Sequence, residues 1–306
     1  TSGGNFNTLV GTNAGTAITT GASNVAVGRN ALDAEVAGSL SVAVGVGTLT
    51  SQTNSTATDV YNTALGHAAG NAVTTGLRNS FVGGLAGDAT TDADDNVAMG
   101  YNALGANTVG SRSVSIGAGS LENQNPATAA NMYNVAVGYN SGNAVSTGIR
   151  NNFFGAESGE ALTTGDDNIA IGYQTLTSET AGNRSVAIGN NALDAQNSTT
   201  DTNMYNVGVG YAAGGAVTTG VQNTLVGGLV GDAITDGQIN TALGYSALTA
   251  DTRGQRAVAI GGFALATQNQ TTATESYSVA VGYNAGGAIT TGIRNVLLGG
   301  LAGDAL

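Results

Sequence analysis

The chain has no cysteine, no tryptophan and no lysine, and one proline in 306 residues. Without cysteine there is no disulfide framework and no thiolate metal site. The single histidine, His67, leaves no Ser/His/Asp or Cys/His arrangement for nucleophilic catalysis, so no enzyme is expected. Charged residues make up 9%, against about 25% in an average domain. All eight basic residues are arginines, none clustered, and the net charge is −12. A chain of that sign cannot neutralise phosphates, which argues against nucleic acid as a partner. No apolar run reaches the 18 or so residues of a helical membrane span, so membrane insertion is not expected. The chain opens Thr1-Ser2-Gly3-Gly4 without a signal peptide.

What is present is repetition. Glycine accounts for 49 residues, and 41% of the chain is hydrophobic, mostly small or β-branched. One phrase recurs throughout: Asn or Ser, apolar, small, apolar, Gly, as in Asn24-Val25-Ala26-Val27-Gly28 and Asn96-Val97-Ala98-Met99-Gly100. The closing glycines fall at 11, 28, 45, 66, 83, 100, 117, 138, 155, 172, 189, 210, 227, 244, 261, 282 and 299. The step is 17 residues, except that every fourth step is 21, which gives a super-repeat of 72 residues starting near 62, 134, 206 and 278. A period of 17 is too short for a helical-hairpin repeat. Period-two alternation inside the phrase reads as a strand. Thr-Thr-Gly punctuation, as at Thr74-Thr75-Gly76, reads as turns. The expectation is therefore an all-β chain, a parallel β-solenoid of 17-residue coils and one repetitive domain over 1–306. Seventeen coils at the strand spacing would span roughly 80 Å. The chain begins and ends inside the repeat, which points to a segment of a longer fibre.

Stacking lets the repeat be read as columns. The Asn/Ser column can hydrogen-bond along the axis. The position before it reads Tyr61, Arg78, Asp95, Arg112, then Tyr133, Arg150, Asp167, Arg184, and becomes Tyr205, Gln222, Ile239, Arg256 in the third super-repeat. That pattern predicts a structural ladder of ion pairs and Arg–Tyr contacts, each worth about 0–1 kcal/mol. The middle of the phrase is small in three coils of four and large in the fourth (Phe81, Phe153, Leu225). Its flanking Val and Ile point to the opposite side. A strand apolar on both sides predicts a second layer, and another copy of the chain is the obvious one.

Three further sets of residues are candidates for function. Tyrosine follows the closing glycine at Tyr101, Tyr139, Tyr173, Tyr211, Tyr245 and Tyr283, where rings could stack on a ligand or simply cover the neighbouring glycine backbone. The four-residue insertions in stretches 50–61, 122–133, 194–205 and 266–277 predict loops about every fourth coil, or roughly 19 Å apart. Asp88, Asp92 and Asp94, with Asp232 and Asp236 in the equivalent place, are the best metal candidates, and calcium is the ion such oxygens would take. No other cofactor is expected.

The phrases Asn168-Ile169-Ala170-Ile171-Gly172-Tyr173 and Ser185-Val186-Ala187-Ile188-Gly189-Asn190 resemble the head repeats of trimeric autotransporter adhesins. The stretch Asn240-Thr241-Ala242-Leu243-Gly244-Tyr245-Ser246-Ala247-Leu248 is similar to repeats of phage tail fibres, which often precede a C-terminal intramolecular chaperone domain. The 17-residue coil is longer than that of typical adhesin heads, which favours the phage-type relatives. The resemblance implies a left-handed β-roll and a homotrimer. It further implies an extracellular place on a virion tail or bacterial surface, and a host-surface glycan or protein receptor. A self-assembling extracellular filament is the alternative. A carbohydrate-active or ice-binding solenoid comes third. Its paired carboxylates would break the repeat, or its threonines would array every coil, and neither pattern is present.

Overall fold

The computed structural model describes residues 4–305, and among them the fold is all-β with no helix. Each phrase forms a three-residue strand whose middle residue is the small or large alternating position, as in Val25–Val27, Val97–Met99 and Val186–Ile188. The chain divides into two compact units, one ending at Asn151 and the other beginning at Asn152. Eight phrase strands lie in the first unit and nine in the second. Within each unit every phrase strand pairs in parallel with the next, in equivalent register: Val25 opposes Val42, and Ile169 opposes Val186. The protein is a parallel β-solenoid of about 17 coils, one phrase and its turns to each.

The alternation inside the phrase decides what is inside. The middle residue points into the coil and is fully buried, as at Ala26, Phe81, Ala98, Phe153 and Leu225. The two flanking residues point outwards and stay half-exposed. Volumes inside are matched between coils. Four residues after the closing glycine stands a buried leucine in two coils of four (Leu32, Leu49, Leu104, Leu121) and glycine in the other two (Gly70, Gly87). The Phe81 ring occupies the space those glycines leave. A Cβ at Gly87 would lie 2.4 Å from the ring, and one at Gly70 2.8 Å from it. The core is thus filled by one large group spanning two coils, then by leucines where the phrase carries alanine.

The closing glycine has a separate reason. At Gly28 φ is +138°, and a Cβ would lie 2.3 Å from the carbonyl oxygen of Gly45 in the next coil. Only glycine lets consecutive coils approach there.

The Asn column is buried, and its main partner is the main chain of the next coil. Asn96 Nδ2 donates to Gly110 O at 3.0 Å while its Oδ1 accepts from Ser113 N–H at 2.9 Å. Asn24, Asn79, Asn168 and Asn240 repeat this pattern. These bonds tie the main-chain carbonyl and N–H groups of neighbouring coils to one another. The insertions add a second short ladder: Thr58–Asp59 pairs with Gly38–Ser39, and Ala130–Asn131, Thr202–Asn203 and Thr274–Glu275 pair likewise.

Candidate functional site

The residue preceding each Asn/Ser lies in the left-handed region, from Tyr61 (φ 56°) and Arg78 (φ 58°) to Arg150 (φ 58°) and Asp167 (φ 60°). That backbone aims a long side chain outwards, where consecutive coils bring neighbours together. Arg78 Nε lies 2.5 Å from Asp95 Oδ1, and Arg112 Nε lies 3.7 Å from Asp95 Oδ2. The pair with Arg78 holds the Asp95 carboxyl below its ordinary value. The Arg112 guanidinium sits 5.9 Å from the centre of the Tyr133 ring, and Arg184 sits 5.8 Å from that of Tyr205. Arg184 also lies 3.8 Å from Asp167. Arg256 stands 5.7 Å from the Tyr277 ring and pairs with Glu275. The column is an outward chain of charge and ring contacts, where screening keeps each contribution small.

A second outward surface is uncharged, and the column just before each closing glycine is apolar throughout, while the other flanking column includes Thr63, Ser80, Asn152, Thr224 and Thr241. The residues flanking the buried centre of each phrase line up along each unit. In the first unit Val42, Leu65, Met99 and Ile116 are at least 36% exposed. In the second, Phe154, Ile171, Ile188 and Leu243 are too. No flanking position carries a charge, in a chain of net charge −12.

The tyrosines after the closing glycines form a third surface in each unit, 46–64% exposed. They occur on every second coil, and the intervening coils carry Gly84, Ala118, Ala156, Asn190, Gly228 and Gly262 at that place. Between Tyr101 and Tyr139 lies a hollow of about 340 Å³ floored by Ala118 and Gly119. A hollow of about 350 Å³ beside the third insertion is lined by Asn197, Thr200, Thr202 and Met204 and holds no aromatic ring.

The chain matches no family model, no curated protein and no solved structure.

The metal candidates are drawn into other contacts. Asp94 accepts from Leu77 N–H at 2.8 Å and lies 3.6 Å from Arg78. Asp236 makes a forked pair with Arg253 at 2.6 and 2.9 Å. Asp232 accepts from the Thr249 hydroxyl, and Asp92 from Thr91 at 3.0 Å. Burial pushes the Asp88 carboxyl up. Among the described residues no three acidic or histidine side chains gather as a metal would need.

One set of residues escaped the sequence reading. Glu35, Glu179 and Asp251 are completely buried. Glu35 Oε1 accepts from the N–H groups of Val36, Ala37, Gly38 and Asn54 at 2.7–3.2 Å. Its Oε2 accepts from Gln52 at 2.8 Å and Asn54 at 3.0 Å. Burial opposes ionisation, but the bonds from Asn54, Gln52 and the Gly38 amide outweigh it and hold the carboxyl below its ordinary value. Glu179 and Asp251 accept from Gln196 and Gln268 in the same way, each at 2.7 Å. The signal was in the spacing: positions 35, 107, 179 and 251 read Glu, Asn, Glu, Asp, each with Gln 17 residues on. These acids close the turn beside three of the four insertions, and Asn107 stands beside the other.

Proposed function

We propose that this chain is a structural and adhesive segment of an extracellular fibre, of the phage tail fibre or bacterial surface adhesin kind. In this reading it associates with copies of itself as a homotrimer and presents its remaining faces to a host-surface glycan or protein receptor. The observation that carries the reading is the uncharged valine and isoleucine face along each unit. Contiguous apolar surface of this kind marks an interaction site. A second copy is the occupant that suits it, because two chains of the same net charge repel each other least where neither carries charge. The repeated outer faces then act through valency, many weak contacts on one chain. No catalytic role is part of this reading.

The test is the native mass in solution, by light scattering coupled to chromatography. A mass of three chains supports the reading. A monomer at micromolar concentration overturns it. Open-ended polymers replace it with the filament reading, in which assembly itself is the function.

A further inference from the structure

We infer that the hollow between Tyr101 and Tyr139 is a saccharide subsite, and that the tyrosine rows, one in each unit, are tracks for a neutral, linear glycan laid along the coils. The inference rests on the adhesive half of the reading above and names the class of ligand.

Three observations carry it. The first is the alternation of tyrosine with a small residue. A Cβ at Gly84 would lie 3.7 Å from Cδ2 of Tyr101, one at Gly228 3.6 Å from Tyr245, and one at Gly262 3.7 Å from Tyr283. These three rings lean on the glycine of the preceding coil and leave their remaining surface in water. An aromatic ring held this way offers a flat apolar face to the C–H side of a pyranose ring, and its hydroxyl offers a hydrogen bond.

The second is spacing. Tyr173, Tyr211, Tyr245 and Tyr283 stand two coils apart in the second unit, as Tyr101 and Tyr139 do in the first. Two coils rise about 10 Å at the strand spacing. That is the length of one disaccharide in an extended β-1,4-linked chain, so equivalent sugar faces meet successive rings.

The third is the hollow itself. Its floor of Ala118 and Gly119 admits a sugar ring, and polar groups converge on its wall. Asn102 Nδ2 donates to Glu122 Oε1 at 2.6 Å, and Asn143 Nδ2 donates to Glu122 Oε2 at 3.0 Å. A carboxylate accepts about four hydrogen bonds, so Glu122 is held in place with capacity left for sugar hydroxyls. The corresponding gaps of the second unit are filled by Asn191, Leu229 and Phe263. Phe263 stands edge-on to Tyr245 and Tyr283, with ring centres 5.4 and 6.0 Å apart. The Gly119 gap is thus the open subsite of the first unit, and the tyrosines of the second unit line a track of their own. Glu122 and the net charge of −12 exclude a polyanionic glycan.

The experiment titrates the protein with cellohexaose, hexa-N-acetylchitohexaose and hexagalacturonate, by calorimetry and by tyrosine fluorescence, which no tryptophan obscures. At least one neutral hexasaccharide is expected to bind, and hexagalacturonate more weakly. Tyr139→Ala and Gly119→Phe should each weaken binding about tenfold or more, a change of about 1.4 kcal/mol. Tyr61→Ala, on the ladder column, should leave it unchanged. Gly119→Phe copies the Phe263 coil, where a phenylalanine already holds φ 60° against 68° at Gly119. The added Cβ would lie 2.5 Å from the end of the Asn140 side chain, which can turn away, and 3.4 Å from Asn143 Nδ2 and Glu122 Oε2. Circular dichroism of each variant guards against misfolding. The inference is overturned if neither neutral hexasaccharide binds, if hexagalacturonate binds as tightly, or if both hollow variants bind like the parent. The native mass is read on the same sample, so a three-chain particle that ignores sugars defeats this inference and leaves the fibre reading standing. A sugar-binding monomer does the reverse.

Discussion

Glu35 shows how a residue that belongs outside by type can hold a coil together. Its carboxylate receives six hydrogen bonds, four of them from main-chain amides. Its folded pKa lies below the ordinary 4.5. The ionised form therefore stabilises the fold above that ordinary value, and the contribution is lost as pH falls through the lowered folded value. Glu35→Gln replaces an acceptor with a donor facing donors. It should cost about 1–3 kcal/mol at pH 7, and less at acid pH, where the parent also loses the charge. Urea midpoints measured across pH 3–7 check both. Thr90 is the opposite case. Among the described residues its Oγ1 is the one buried side-chain polar atom without a hydrogen-bond partner. Val73, Leu162 and Ile234 stand at the equivalent place. Thr90→Val keeps the shape and removes the orphan hydroxyl, so it should raise stability by about 1 kcal/mol, visible as a higher urea midpoint.

At the scale of the coil, packing is a matter of paired volumes. Phe81→Ala empties the space Gly70 and Gly87 leave for the ring and should cost about 3–5 kcal/mol. Gly87→Ala should cost more than an ordinary overpacking substitution. Its Cβ would meet the ring at 2.4 Å, where the ring has no room to withdraw. Thermal or urea unfolding of the two variants checks the order. Much of the coil was legible beforehand. The closing glycines set the step, the alternation set the strand, and the long step every fourth coil located the insertions. Two features were not. The left-handed backbone at Arg78, Asp95 and Tyr133 runs against the intrinsic preference of those residues and is imposed by stacking, which no local propensity encodes. The buried acids run against the rule that carboxylates stay outside, since their main-chain donors come from turns whose shape the sequence does not announce. For the candidate sites the sequence located the tyrosines and the charge column. It could not show that Gly119 leaves a hollow where Phe263 fills one, because that depends on the coils to either side.

At the scale of the molecule the contrast is between a charged chain and an uncharged face. Ile188→Glu places a charge in the middle of that face, on an outward position that does not touch the coil interior. It should leave the β-sheet circular dichroism intact and reduce the native mass to that of one chain. In the parent, the particle should persist in about 1 M sodium sulfate, since excluded salts strengthen apolar contacts and weaken ionic ones. Light scattering of parent and variant, with and without sulfate, separates an apolar interface from one held by the arginine and aspartate column.

The 72-residue super-repeat carries a consequence for heredity. Tyr61-Asn62 and Tyr133-Asn134 are the same two residues at the same place in successive super-repeats. Excising residues 62–133 would join Tyr61 to Asn134, restoring the parental dipeptide with every column, core volume and insertion still in phase. Recombination between such corresponding stretches of a gene can therefore shorten or lengthen the product by whole super-repeats and keep every column in phase. For a protein built this way, length is a trait selection can tune in steps, independently of what its surface recognises.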